Sequence, residues 1–197
     1  MPCTESTLPP STDMLLAAYG NGLFPMADAS GQVHWYTADP RAIFPLEKVR
    51  PNARFRRFLR GSGFRFTRDK AFEEVIHRCA TLHGDTWIGP SLIDAYGALH
   101  RAGHAHSVET WKEDVLVGGI YGVHLGSAFF GESMFSAGPN ASKAAFHELA
   151  EHLRHNGFTL FDSQFINDHT ASLGAIEVPK AGYMALLKTA VSAPSAW

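Results

Sequence analysis

A carboxylate and a carboxamide, Asp162 and Gln164 in the segment Phe161-Asp162-Ser163-Gln164-Phe165, form the strongest chemical signal in the chain. On a strand the side chains alternate, so Asp162 and Gln164 share one face while Phe161, Ser163 and Phe165 share the other. Helical patterns flank the segment, which predicts an interior strand covered on both faces. Burying an acid and an amide there is costly unless both are hydrogen-bonded. The pair therefore satisfies a structural network or lines a wet site, and the pattern alone leaves both open. A second carboxylate, Glu132, sits in the apolar strand pattern Gly131-Glu132-Ser133-Met134-Phe135-Ser136. It also asks for a partner, or else faces solvent from an edge strand. Gly131 permits close approach of a ligand or another backbone.

Other constellations fall short. Gly131 to Phe135 begins like the G-x-S-x-G elbow, but Phe135 fills the last position. His147 and His152 lie five residues apart. Their rings diverge on a helix, unlike an i, i+4 zinc pair. His100, His104 and His106 lack a cysteine or acid to complete a set, so no metal is expected. Gly118, Gly119 and Gly122 have no dinucleotide-loop spacing.

Periodicity predicts the supporting elements. Residues 12–19 read as a short helix, and 20–45 as ordered loop with short strands. Asp69 suits the cap of a helix running to about Leu82, with Phe72, Val75, Ile76 and Cys79 inside. A further helix runs over 90–103, striped by Leu92, Ala95, Tyr96 and Leu99. Strands over 107–111 and 115–123 flank a hairpin turn, and 128–134 follows as the next strand. Then come a strong helix over 142–155, a strand over 158–165 and short helices over 167–173 and 183–188. The tail to Trp197 is expected to fray. The order predicts an α/β (α+β) domain with a mixed, mostly antiparallel sheet and flanking helices. It matches the GNAT acyltransferase arrangement, in which two neighbouring strands splay and the acyl donor enters the gap.

The 197 residues are 45% hydrophobic and 12% aromatic, enough for one sizeable core. Residues 1–10 lack the basic and apolar stretches of a signal peptide, and no apolar run approaches a membrane span. The two cysteines, Cys3 and Cys79, suit a reducing compartment. A net charge of −2 hides an asymmetry: residues 41–70 carry ten of the 17 Lys and Arg against two acids. Such a block suggests a local polyanion contact, or a solvated basic loop.

Blocks along the chain resemble the leucyl/phenylalanyl-tRNA–protein transferase family. They include Tyr19-Gly20-Asn21-Gly22-Leu23-Phe24-Pro25-Met26, Trp35-Tyr36-Thr37-Ala38-Asp39-Pro40-Arg41-Ala42, Thr86-Trp87-Ile88 and Gly103-His104-Ala105-His106-Ser107-Val108-Glu109. They continue with Leu116-Val117-Gly118-Gly119-Ile120-Tyr121-Gly122-Val123, Phe130 to Ser136, Ala141-Ser142-Lys143, Asp162-Ser163-Gln164 and Asn167 to Ala175. Family members usually carry a longer N-terminal region. Thr37, Ala38 and Ser163 depart from the family pattern, with Ser163 replacing a cysteine. Strand alternation puts Ser163 opposite Asp162 and Gln164, so the site is expected to survive the change.

The resemblance implies transfer of Leu, Phe or Met from aminoacyl-tRNA to proteins beginning with Arg or Lys, in the N-degron pathway. It implies a cytoplasmic enzyme, a GNAT-like core without acetyl-CoA or another cofactor, and no membrane partner; a monomer is expected. Residues 1–60 would form a short extension and loop-rich region with the basic tRNA-contact segment, and 61–197 the catalytic domain. Asp162, Gln164 and Glu132 would be catalytic. Trp35, Trp87, Ile120, Phe129, Gly131 and Met134 would surround the donor aminoacyl group. Arg54, Arg56, Arg57 and Arg60 would hold the tRNA. The rival readings are an acetyl-CoA-dependent GNAT N-acetyltransferase, a non-catalytic RNA-binding module and a cell-wall aminoacyl transferase. Residues 136–140 lack the glycine-rich loop that would cradle a CoA pyrophosphate.

Overall fold

The computed structural model describes the backbone of residues 5–6 and the whole of 10–81 and 86–197; Cys3, most of 1–10 and the expected helix end at Leu82 lie outside these. The N-terminal third contains β1 (Glu5–Ser6), α1 (Thr12–Gly20), β2 (Phe24–Ala27), β3 (Val33–Tyr36), β4 (Arg41–Ile43) and α2 (Ala53–Ser62). Next come β5 (Phe64–Arg68), α3 (Phe72–Thr81), α4 (Pro90–Arg101), β6 (Ala105–Lys112), β7 (Val115–Leu125) and β8 (Ala128–Ser136). The remainder is α5 (Ala141–His155), β9 (Leu160–Gln164), α6 (Asp168–Ser172), β10 (Ile176–Val178) and α7 (Lys180–Ser192).

The fold is mixed α/β, as its element order predicts. A three-stranded sheet has the order β1-β3-β2, and a seven-stranded sheet the order β10-β4-β9-β8-β7-β6-β5. Every neighbouring pair is antiparallel except β8 and β9. Those two run parallel because α5 carries the chain back between them. Their pairing ends at Phe130 opposite Asp162. β4, from the stretch expected to be loop-rich, is built into the large sheet beside β9.

Apolar alternation gives the large sheet two covered faces. Tyr19, Tyr96, Tyr121, Phe130 and Leu160 pack on one, beneath α1, α3, α4 and α7. Phe129, Phe146, Phe161 and Ile120 pack on the other, under α5. Helix α5 forms where Phe146, Leu149, Ala150 and Leu153 recur at helical spacing, and all are buried.

Several expectations change. Helix α2 and strands β5 and β10 were not expected. Asn52 caps α2 by accepting from the Phe55 N–H, and Gly63 closes it in the left-handed conformation. Asp69 does not cap α3; its carboxylate accepts from the Ser107 N–H at 2.9 Å and meets His106 Nδ1 at 2.8 Å. Asp69 thus supplies the acid that the histidine cluster lacks in sequence, since β5 pairing brings it beside β6. The C-terminal tail does not fray: Trp197 stacks on His106 with 4.2 Å between ring centroids, and Ser195 donates to the Gly126 carbonyl. Among the described residues, no helix is long and apolar enough to cross a membrane.

Candidate active site

A cavity of about 570 Å³ opens where β8 and β9 part. Ile120, Phe44 and Phe161 line it from one face of the sheet, and Phe24, Trp87 and Glu132 from the other. The cavity therefore passes through the gap between the strands.

Glu132 enters it through an irregularity of β8. Tyr121 pairs with Ser133 and Gly122 with Gly131, so Glu132 is an extra residue without an opposite number. Such a bulge re-aims one side chain. Gly122 is required there, because a Cβ would stand 2.2 Å from the Phe130 carbonyl oxygen. The Glu132 carboxyl then meets the phenols of α1 and α4. Oε1 lies 2.8 Å from Tyr19 Oη, Oε2 lies 2.9 Å from Tyr96 Oη, and the two phenol oxygens are 2.7 Å apart. Gln164 Nε2 donates to Oε1 at 3.3 Å. Burial pushes the Glu132 carboxyl up to about 7, against the opposing pull of its two tyrosine hydrogen bonds. Burial and the nearby Glu132 carboxylate also hold Tyr19 and Tyr96 well above the ordinary phenol range, so both keep their protons.

Gln164 reaches the cavity by a second irregularity. Its φ is +56°, a left-handed conformation at the end of β9. Asp162 Oδ1 accepts its backbone N–H at 2.9 Å and holds the kink. The kink breaks the expected alternation, so Phe161, Ser163, Gln164 and Phe165 all line the cavity and Asp162 does not. Ser163 therefore lines the same cavity as Gln164, where strand alternation puts it on the face away from the site.

Asp162 is fully buried beneath that wall. Arg41 grips it with Nε at 2.9 Å from Oδ1 and Nη2 at 2.8 Å from Oδ2, and Tyr183 Oη donates to Oδ2 at 2.6 Å. The guanidinium also donates to the Gly22 carbonyl at 3.0 Å and lies 4.7 Å from the ring centres of both Phe24 and Tyr183. A buried ion pair of this kind needs further hydrogen bonds, and here each guanidinium nitrogen and each carboxylate oxygen has at least one partner. Arg41 thus leaves the surface basic block.

The donor candidates divide. Trp87, Ile120, Gly131 and Met134 line the cavity, whereas Trp35 and Phe129 are buried in the core and are absent from its lining. Arg54, Arg56, Arg57 and Arg60 are all exposed on α2, around the buried Phe55, and among the described residues none pairs with an acid. Sequence reasoning missed Arg41, Tyr19, Tyr96 and Tyr183 as site partners. A signal existed for two: Arg41 stands beside an apolar run, and Tyr96 lies on the inner stripe of its helix.

Residues 43–188 match the family described as leucyl/phenylalanyl-tRNA protein transferase, and residues 9–39 match the N-terminal domain of the same name. The chain is 51% identical over 184 residues to the leucyl/phenylalanyl-tRNA–protein transferase of Rhizorhabdus wittichii, covering 91% of this chain and 74% of that protein. The same-named protein of Shewanella denitrificans is 46% identical, over 94% of this chain and 81% of that protein. That of Gloeobacter violaceus is 47% identical, over 92% and 94%. The chain belongs to the leucyl/phenylalanyl-tRNA–protein transferase family.

Proposed function

We propose that this protein transfers an aminoacyl group, Leu, Phe or Met, from charged tRNA to the N-terminal amine of proteins beginning with Arg or Lys. The observation that carries the reading is a cavity with two kinds of wall. It is apolar at Trp87, Ile120, Met134 and Phe161, and polar at Glu132 and Gln164. An apolar side chain of the donor fits the first, and an amine the second.

The aminoacyl ester is already activated, and an α-amine with a pKa of about 8 is partly neutral near pH 7. No covalent enzyme intermediate is needed. Aligning amine and carbonyl can supply roughly 7–11 kcal/mol of the barrier. In this reading Gln164 meets the reacting groups, and Asp162 acts behind it by fixing its backbone. Glu132 also offers negative charge to a cationic acceptor. A pocket of apolar walls separates substrates differing by a methylene by only about 1–3 kcal/mol, which suits a relaxed choice among Leu, Met and Phe.

The exposed arginines of α2 suit the phosphates of an acceptor stem. The N-terminal part would thus carry tRNA contacts and also lend Arg41 to the catalytic sheet. The products would be substrates for N-degron proteolysis. An acetyl-CoA-dependent reaction finds no support in the family match.

Purified protein, radiolabelled Leu-tRNA and a peptide beginning with Arg test the reading. Label should appear on the peptide and stay off the same peptide with an acetylated N-terminus. Label on neither, or equally on both, would refute it. Arg56→Ala with Arg57→Ala should weaken tRNA binding and reduce its salt slope by about two, one per arginine. An unchanged slope would take α2 out of the interface.

A further inference from the structure

The two carboxylates at the site differ in what they have left to give. A carboxylate has about four lone-pair directions. Asp162 uses all of its own: Oδ1 on Arg41 Nε and the Gln164 N–H, Oδ2 on Arg41 Nη2 and Tyr183 Oη. In its ionised form Glu132 accepts from Tyr19 and Gln164 on Oε1 but only from Tyr96 on Oε2. One direction on Oε2 remains, and Glu132 lines the cavity.

A proton count points the same way. Glu132, Tyr19 and Tyr96 form a triangle with sides of 2.7, 2.8 and 2.9 Å, each a hydrogen-bond length. Three such bonds need three protons, and two phenols bring two. A protonated Glu132 brings the third, donating to one phenol while the other donates to it. The triangle therefore has a place for one proton more than its ionised form carries.

We propose, within the transfer reaction above, that Glu132 is the catalytic residue that takes the proton of the attacking amine and delivers it to the departing ribose oxygen, with Tyr19 and Tyr96 as its positioning residues. The neutral amine attacks the ester carbonyl and the C–N bond forms. Nitrogen gives one proton to the ionised Glu132. The C–O bond to the ribose breaks, its electron pair stays on oxygen, and Glu132 returns the same proton there. Amide and hydroxyl are the products, and the carboxylate is restored.

The groups facing Glu132 set the pH at which it ionises. Tyr19 of α1 and Tyr96 of α4 donate to it, Tyr121 of β7 lies in the same phenol cluster, Asp162 of β9 disfavours its charge and Arg41 of β4 favours it. Cys79 of α3 is a further titratable neighbour of this cluster, and burial keeps its thiol protonated, up at about 12.

The test is the pH dependence of kcat with acceptor saturating, for wild type, Glu132→Gln, Tyr96→Phe, Tyr19→Phe and Asp162→Asn. Thermal melts and aminoacyl-tRNA binding establish that each variant is folded. Wild type should gain rate through an acidic limb near pH 7. Glu132→Gln should lose about 100-fold or more, the usual worth of a proton-transfer group, and should lose the limb near pH 7, keeping only the limb at about pH 8 that the attacking amine sets. Either tyrosine variant should move the limb upward, since a donor to the carboxylate is gone. Asp162→Asn should keep a limb and move it downward, because a repelling charge is removed. A limb near pH 7 that persists in Glu132→Gln, disappears in Asp162→Asn, or stays fixed in both folded tyrosine variants overturns the proposal. No transfer by wild type would instead sink the transfer reaction itself, and the proposal with it.

Discussion

Asp162 and Glu132 stand on adjacent strands, under the same helical layer, yet their surroundings are opposite. Asp162 is locked to a buried cation and two further donors. Glu132 is held by neutral phenols and an amide, on a bulge, beside an open cavity. A full ion pair stabilises the charge of a buried acid and spends its lone pairs, so the group becomes architecture. Neutral donors leave the charge costly and a lone pair free, so the group stays able to exchange a proton. The contrast separates the residue that shapes the site from the one suited to act in it.

Removing Arg41 tests the architectural side with the largest effect. Arg41→Ala leaves Asp162 as an unpaired buried carboxylate, which should cost about 3–5 kcal/mol of folding stability in a urea melt. A loss below about 1 kcal/mol, the size of a surface pair, would mean that the knot does not hold β4, β9 and α7 together.

A somewhat smaller effect belongs to Glu132. Its carboxyl is raised to about 7 in the folded chain. The folded state then binds more protons than the unfolded state between the ordinary carboxylate range and pH 7, so this stabilising contribution is full at low pH and is lost as pH rises through that window. Relative to Glu132→Gln, whose amide does not titrate, wild type should lose about 3 kcal/mol of stability from pH 4 to pH 8. Parallel stability curves for the two proteins would show that Glu132 ionises like a surface acid.

Much of this layout is legible in the sequence where local rules decide. The β6–β7 hairpin, α4 and α5 follow from alternation, a proline start and helical spacing. Asp162, Gln164 and Glu132 stand out because polar groups interrupt apolar strands. What local rules miss is set by distant partners. Arg41 counts as one cation among ten in its segment, and only its pairing with Asp162, 121 residues away, removes it from the surface. The bulge that re-aims Glu132 depends on register with β7, and the left-handed turn at Gln164 depends on the Asp162 carboxylate. Strand periodicity therefore misplaces Gln164, which joins Phe161, Ser163 and Phe165 at the cavity. The Trp197 tail reads as frayed because its anchor, His106, lies far back in the chain. Helix α2 is a different case. Asn52, the spacing of Phe55, Phe58 and Leu59, and Gly63 carry its pattern locally, but the density of arginines obscures it.

The most direct measurement is a crystal structure of the protein with a non-hydrolysable 3′-amide analogue of leucyl-adenosine. The leucine side chain should lie among Trp87, Ile120 and Met134, with Glu132 and Gln164 facing the side of the carbonyl that an amine attacks, at about 3–3.5 Å from the incoming nitrogen's place. Asp162 should still be gripped by Arg41. A leucine bound outside this cavity, or an Asp162 released from Arg41 and turned onto the carbonyl, would contradict the account.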